Sequence, residues 1–390
     1  MLDAATRARR GARSALTAAL LLALAGCGPS TGDAPPGPTP APTGSGAPTP
    51  VPTFAAPSEI APMVLAPAGI RATSVSPREW ITITVPGTFD DETVLALPPD
   101  AGPDAGPLPV PGCPLFDRPA GCGARGFIDT VGNSDWATGF AETDITSVPA
   151  YFPAAFGPGG EVSILDCCDT QSAVSQLVPV PGGRFLGVKP DPADDVRRGV
   201  LVRDGGEYEF LPSGAFADGT TPRAADASFT IVGDAGAVRT PVAWRPVGDA
   251  YELVVLTIPD DDVAGSAVAI EDGRIAGYSG RDLSLRAVVW AAPDVDATPV
   301  PLPLLEATIS CRPTALSAGR VAGNCVDEPR REHALLWSSD APGTSWHVSA
   351  LLLPVAGDTA AHVSGLAGDL AVGWSIAGDG TERAVAWRVP

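Results

Sequence analysis

The stretches IVGDAGAVRTPVAW (231–244), IAGYSGRDLSLRAVVW (275–290), VAGNCVDEPRREHALLW (321–337) and AVGWSIAGDGTERAVAW (371–387) are one phrase written four times. Each runs from small residues around a Gly, through a polar turn, to a short apolar run ending in Trp. Trp244, Trp290, Trp337 and Trp387 fall 46, 47 and 50 residues apart. Working outward, FLGVKPDPADDVRRGVLV (185–202) repeats the phrase without its Trp, and a weaker version begins at GFIDTVG (126–132). With Gly132, Gly187, Gly233, Gly277, Gly323 and Gly373 as markers, the steps are 55, 46, 44, 46 and 50 residues, which makes six units.

Between Gly265 and Pro303 the chain reads SAVAI, RIAGYS, LRAVVW and TPVPLPL. These are short runs of Val, Ile, Leu and Ala broken by Asp, Gly or Pro, the pattern of a four-stranded antiparallel meander. A period in the forties built from four short strands is the size of one propeller blade. The expectation is therefore an all-β chain forming a six-bladed β-propeller, with the extra length between Asp90 and Cys122 leaving seven blades as the alternative. YEFLP (208–212), YELVVLTIP (251–259) and WHVSALLLP (346–354) read as outer strands. The last unit has none after Trp387, whereas WITITVP (80–86) has the same character. This N-terminal strand is expected to complete the sixth blade and close the ring, which would protect sheet edges whose N–H and C=O groups otherwise stay unpaired.

Residues 1–26 read as a lipoprotein signal peptide. Arg7, Arg9, Arg10 and Arg13 precede SALTAALLLALAG (14–26), an apolar run too short for a comfortable membrane span, which stops at Cys27. Leu24, Ala25, Gly26 and Cys27 resemble the lipobox of bacterial lipoproteins. The resemblance implies a diacylglyceryl group on the Cys27 thiol, cleavage before it and acylation of the new terminus, palmitate being the expected chain. The lipid bilayer is then a partner, and the location is the extracytoplasmic side of a bacterial envelope membrane. Residues 28–57 hold ten Pro among Gly, Ser, Thr and Ala, so 27–60 reads as the lipidated Cys and an extended linker, and 61–390 as the propeller domain.

The chain carries 45 acidic against 25 basic residues, a formal charge of −20, with Lys189 as its one lysine. That balance argues against nucleic acid as a partner, whose affinity comes from cations on phosphates. Setting Cys27 aside leaves six cysteines, and disulfides are the default in an exported chain. Cys113 and Cys122 fall in one Pro/Gly-rich insertion, Cys311 and Cys325 in successive strands, and Cys167 and Cys168 are adjacent; sequence alone permits 15 connectivities for six cysteines. With no CxxC, no metal is expected, and no cofactor. No GxSxG, HExxH, GxxxxGK or dinucleotide fingerprint occurs. His333 and His347 read as strand residues, and His362 as the start of an innermost strand near the central channel. Asp90, Asp91 and Glu92, then Asp191, Asp194 and Asp195, then Asp260, Asp261 and Asp262 occupy turns, but match no calcium loop. Gly233, Gly277, Gly323 and Gly373, with the four Trp, read as packing residues.

The phrase also resembles the bacterial extracellular repeats named for a His-Ala-Phe signature. His333, Ala334, Leu335, Leu336 and Trp337 come closest, with Leu in place of Phe; Ala287–Trp290 and Ala384–Trp387 fit more loosely. This resemblance implies a propeller-like exported domain and assigns no reaction. The function expected on these grounds is that of a membrane-anchored binding protein, not an enzyme, recognising a protein or polysaccharide partner. Two alternatives stand beside it: a hydrolase or lyase with a carboxylate site in the central channel, and a purely structural envelope component. Converging Asp, Glu and His in the channel beside an Arg would favour the enzyme.

Overall fold

The computed structural model describes the strands between residues 62 and 164 and most of residues 175–389. The signal peptide, the linker, Cys27, Cys113, Cys122, Cys167 and Cys168 lie outside the described residues.

Every strand belongs to a four-stranded antiparallel sheet. After β1 (Pro62–Ala68) come β2 (Arg71–Val75), β3 (Ile81–Val85), β4 (Thr93–Leu97) and β5 (Leu108–Pro109), paired in chain order. The next sheet holds β6 (Gly126–Val131), β7 (Ala137–Thr143), β8 (Ala150–Phe156) and β9 (Val162–Ile164). It is followed by β10 (Ser175–Val180), β11 (Arg184–Pro190), β12 (Arg197–Val202) and β13 (Tyr208–Phe210). Then come β14 (Thr220–Ala225), β15 (Ile231–Ala235), β16 (Thr240–Val247) and β17 (Ala250–Val255). The following sheet is β18 (Ala264–Glu271), β19 (Arg274–Arg281), β20 (Ser284–Trp290) and β21 (Val300–Pro301). After it stand β22 (Thr308–Ser317), β23 (Arg320–Asp327), β24 (Glu332–Ser339) and β25 (Trp346–Ala350). The last sheet is β26 (Asp358–Ala367), β27 (Leu370–Ala377) and β28 (Glu382–Arg388), with β1 as its fourth strand, so that Pro62 faces Trp387 and Val64 faces Val385.

Two expectations are corrected here. The described strands make seven sheets where the glycine markers gave six units. The segment 80–86 does not lie beside the C-terminal strand: its residues 81–85 are β3, the second strand of a separate sheet, between β2 and β4. An alternating Ile/Thr strand ending before Pro satisfies a second strand as well as an outer one, so composition could not separate the two. The N-terminal strand that does pair with β28 is β1, PMVLAPA.

The core is divided among the interfaces between successive sheets. Trp244, Trp290, Trp337 and Trp387 are fully buried. Trp290, for example, clusters with Val254 and Leu256 of the preceding sheet and Ile275 of its own. The indole N–H groups repeat one contact: Trp244 donates to the Pro212 carbonyl (2.8 Å), Trp290 to that of Thr257 (2.7 Å) and Trp337 to that of Pro303 (2.7 Å). Each acceptor follows the outer strand of the sheet before, so an indole fills the gap between two sheets and satisfies its one polar atom there.

A β-bulge recurs in the first strand of each sheet. The register slips between Ala72 and Ser74, Ile128 and Thr130, Ser175 and Val178, Pro222 and Ala224, Ala267 and Ala269, Pro313 and Ala315, and Val363 and Gly365. Facing four of these slips are the repeat glycines: Gly233, Gly277, Gly323 and Gly373 pair with Pro222, Ala267, Pro313 and Val363. The bulge pushes a carbonyl against the second strand. A Cβ on any of the four would lie 1.9–2.5 Å from a backbone oxygen. In the β6–β7 pair the residue in this register is Gly139, opposite Ile128, not the marker Gly132, which lies outside the described residues.

Candidate functional site

An extra residue in a first strand turns its side chain away from the ladder. Those of Thr73, Arg223, Val268, Thr314 and Ser364 converge on one cavity of about 260 Å3, lined by the first strands of six sheets. Arg223 is the charged member of this set. Its Nε donates to Asp234 Oδ2 (2.6 Å), which also accepts from the buried Ser266 hydroxyl (2.8 Å).

A second cavity, of about 540 Å3, shares Arg223, Val268 and Thr314 with the first and occupies the end where the turns between second and third strands lie. Its size is in the range that takes a small ligand. It gathers Arg239 from the β15–β16 turn, Tyr278 from β19, Arg312 from β22, Asn324 from β23, Arg330 and Glu332 from the β23–β24 turn and β24, and His362 from β26. Tyr278 is its centrepiece. Arg239 Nη1 donates to the phenol oxygen (3.4 Å), and the Arg312 guanidinium lies 5.5 Å from the ring centroid. This phenol contact, with Asp234 adding attraction, raises the Arg239 guanidinium above its ordinary value. Arg312 and Asn324 are partners across β22 and β23, directly beside the Cys311–Cys325 disulfide, which is fully buried. The bridge joins two facing residues and ties the strands that present these side chains.

His362 is stacked on Trp374 (centroids 4.0 Å apart), over which the Arg71 guanidinium lies at 5.4 Å. Asn324 fixes the tautomer. Its Oδ1 accepts from Val363 N (2.8 Å) and its Nδ2 donates to Val363 O (2.8 Å), so the remaining Nδ2 proton points at His362 Nε2, 3.1 Å away. Nε2 therefore accepts, and Nδ1 carries the proton towards Glu332 Oε2 at 3.4 Å. Burial pushes the imidazole below its ordinary value, against the pull of Glu332.

Asp90, Asp91 and Glu92 lie outside the described residues, and several of the other residues singled out by the sequence are held in structural pairs. His333 Nε2 meets Asp327 Oδ2 at 3.0 Å, and His347 lies in the outer strand β25. Asp191 and Asp194 bind Arg198, and Asp261 and Asp262 bind Arg286. No group of three or more His, Cys, Asp or Glu with metal-holding geometry occurs among the described residues. Sequence reasoning reached His362 and passed over Arg239, Tyr278, Arg312, Asn324, Arg330 and Glu332. The signal was present in the polar turns of the repeated phrase: two of them carry Arg239 and Arg330 next to their third strands.

No known protein family matches the chain, and no curated protein does. Solved structures do match it. The β-propeller domain of the Trilobed protease from Pyrococcus furiosus, described as having an open velcro topology, aligns with a TM-score of 0.52 and 9% identity, over 82% of this chain and 95% of that one. A prolyl endopeptidase aligns with a TM-score of 0.50 and 11% identity over 84% of this chain, which spans about half (51%) of that protein's length. Virginiamycin B lyase from Staphylococcus aureus aligns with a TM-score of 0.43 and 11% identity, over 80% of this chain and 94% of that one. The chain thus has an all-β, propeller-like fold related to that of several β-propeller proteins. The expectation of a non-enzymatic protein is corrected by the same comparison. The matched structures include a prolyl endopeptidase, so neither the fold nor the absence of familiar motifs gives ground for excluding catalysis, and the fold by itself assigns no reaction.

Proposed function

We propose that this chain is a hydrolase or lyase whose reaction takes place in the 540 Å3 cavity at the axial mouth. One observation carries the reading: Glu332 and His362 meet in a cavity that also holds Tyr278 and four arginines, Arg223, Arg239, Arg312 and Arg330. Glu332 is the base, taking a proton from water or from a substrate carbon, with its carboxylate oriented by the His362 Nδ1–H. The Tyr278 hydroxyl, its oxygen already accepting from Arg239, returns a proton to the leaving group. Arg239 and Arg312 stabilise the negative charge that develops between those steps. The test is turnover of a panel of anionic esters and acidic glycans. Glu332→Gln should lower kcat by about 100-fold or more on any substrate the wild type turns over. Equal rates for wild type and variant, or no turnover of either class, would overturn the reading.

The scaffold is read as a ring of seven blades closed by the pairing of β1 with β28. The recurrence of the bulge in seven first strands, and the lining of one cavity by six of them, support this. The anchoring at Cys27 rests on the Leu24-Ala25-Gly26-Cys27 motif, and no helix among the described residues is long and apolar enough to cross a membrane. Cys27→Ser should move the protein from the membrane to the soluble fraction; a variant that stays with membranes as a lipid-modified species would remove the anchor.

A further inference from the structure

We propose that the axial mouth takes an amphipathic anion, a carboxylate on an apolar body. In this proposal Arg239, Arg312 and Arg330 hold the charge, and Val268, Ile309 and Val326 face the body. The proposal names the substrate class of the site just described and rests on that reading.

Three observations support it. First, many of the described arginines of this acidic protein are neutralised in place: Arg198, Arg223, Arg245, Arg286, Arg331 and Arg383 all meet Asp or Glu. Arg239 and Arg312 instead contact the two faces of one tyrosine, its hydroxyl and its ring. None of Arg239, Arg312 and Arg330 has a carboxylate partner among the described residues. Three guanidinium groups without a carboxylate partner among the described residues line one cavity, in a chain of formal charge −20, and create a local positive field there: Asp234, which attracts Arg239, is bonded to Arg223, and Glu332 is turned to His362. A guanidinium presents paired N–H donors matched to a carboxylate.

Second, two of the three stand on unfavourable backbone. Arg239 has φ 55° and Arg330 φ 84°, a left-handed region in which a Cβ is crowded. The turns at comparable places carry Asp195, Asp282 and Gly380 at positive φ, residue types that tolerate it. Strain retained beside a cavity points to a requirement for the side chain itself.

Third, much of the remaining wall is apolar. Ile309 is 44% exposed at the mouth, and Val268 and Val326 line the interior. A strongly hydrated inorganic anion gains nothing from such a wall, whereas an anion with a hydrocarbon or aromatic body buries it.

The test is equilibrium calorimetry on the full chain with 2-naphthoate, with 2-naphthalenemethanol and inorganic phosphate as the neutral and the bodiless comparators. Saturable binding of 2-naphthoate at one site per chain is expected, with neither comparator competing. Arg312→Met should weaken it about tenfold or more. Arg330→Gly should do the same while leaving the melting temperature equal or higher, because glycine relieves the backbone; this separates lost binding from lost folding. Glu332→Gln should bind 2-naphthoate at least as well as the wild type. Binding of the alcohol as strong as that of the acid, displacement by phosphate, no saturable binding, or an Arg312→Met variant indistinguishable from wild type would each overturn the proposal. If 2-naphthoate binds as expected while Glu332→Gln leaves turnover intact, the catalytic reading fails and the anion site stands.

Discussion

A Cβ added to Gly277 would sit 2.2 Å from the Ser266 carbonyl oxygen and 2.9 Å from Cζ3 of Trp290. Neither neighbour can retreat: one is backbone in a paired ladder, the other a fully buried indole bonded to the preceding sheet. Gly277→Ala should therefore cost about 3 kcal/mol or more of unfolding free energy, the upper part of the overpacking range. Gly378→Ala is the matched control, since its Cβ would come no closer than 3.6 Å to a neighbour, the Gly357 carbonyl oxygen. Denaturant titration that gives both variants the same loss would remove this account of the repeated glycine. At this scale the sequence was most legible, because one residue serves the same contact in unit after unit and periodicity exposes it. The cavity residues Arg312 and Tyr278 serve a contact that occurs once, and no repetition marks them.

The turn from β23 to β24 shows how an element is held by charge. Asp327 is buried, receives the Arg331 N–H (2.8 Å) and guanidinium (2.9 Å), and faces His333 Nε2 (3.0 Å). The hydrogen bond to His333, then those from Arg331, hold its carboxyl at about 2, below the ordinary 3.8. A depressed folded-state value means that the ionised form stabilises the fold above the unfolded value, and that this contribution is lost as pH falls from about 3.8 through about 2. Wild type should therefore lose more stability than Asp327→Asn between pH 4 and pH 2, measured by acid titration of the melting temperature. Parallel curves would show that the turn is not held by this carboxylate. Since the same turn presents Arg330 and Glu332 to the cavity, its loosening should be felt at the site as well. Such pairings were hidden in the sequence: Asp327 and His333 are close along the chain, but only the hairpin register shows that they face each other.

At the scale of the molecule, the four Trp units were read correctly as sheets, and the sheet of β2 to β5 was missed. Its second strand, ITITV, has no glycine, and Leu97 holds the register place against Ile81 that Trp290 holds against Ile275. A unit that fills its gap without the shared residues leaves no period to find. The pairing of β1 with β28 was legible as a need, since an unpaired edge invites association, but the strand that meets it was misidentified. That pairing also sets a clock. Val64 and Val385 lie more than three hundred residues apart, so at roughly 5–20 residues per second the ribosome takes about 15 to 60 s to supply the partner of a strand it has already made. Throughout that interval β1 has no place in the sheet it will join, and the last sheet is complete only after nearly the whole chain has been synthesised. Whatever holds the early segment unfolded and unaggregated during that wait is as necessary to this protein as any contact in its finished core.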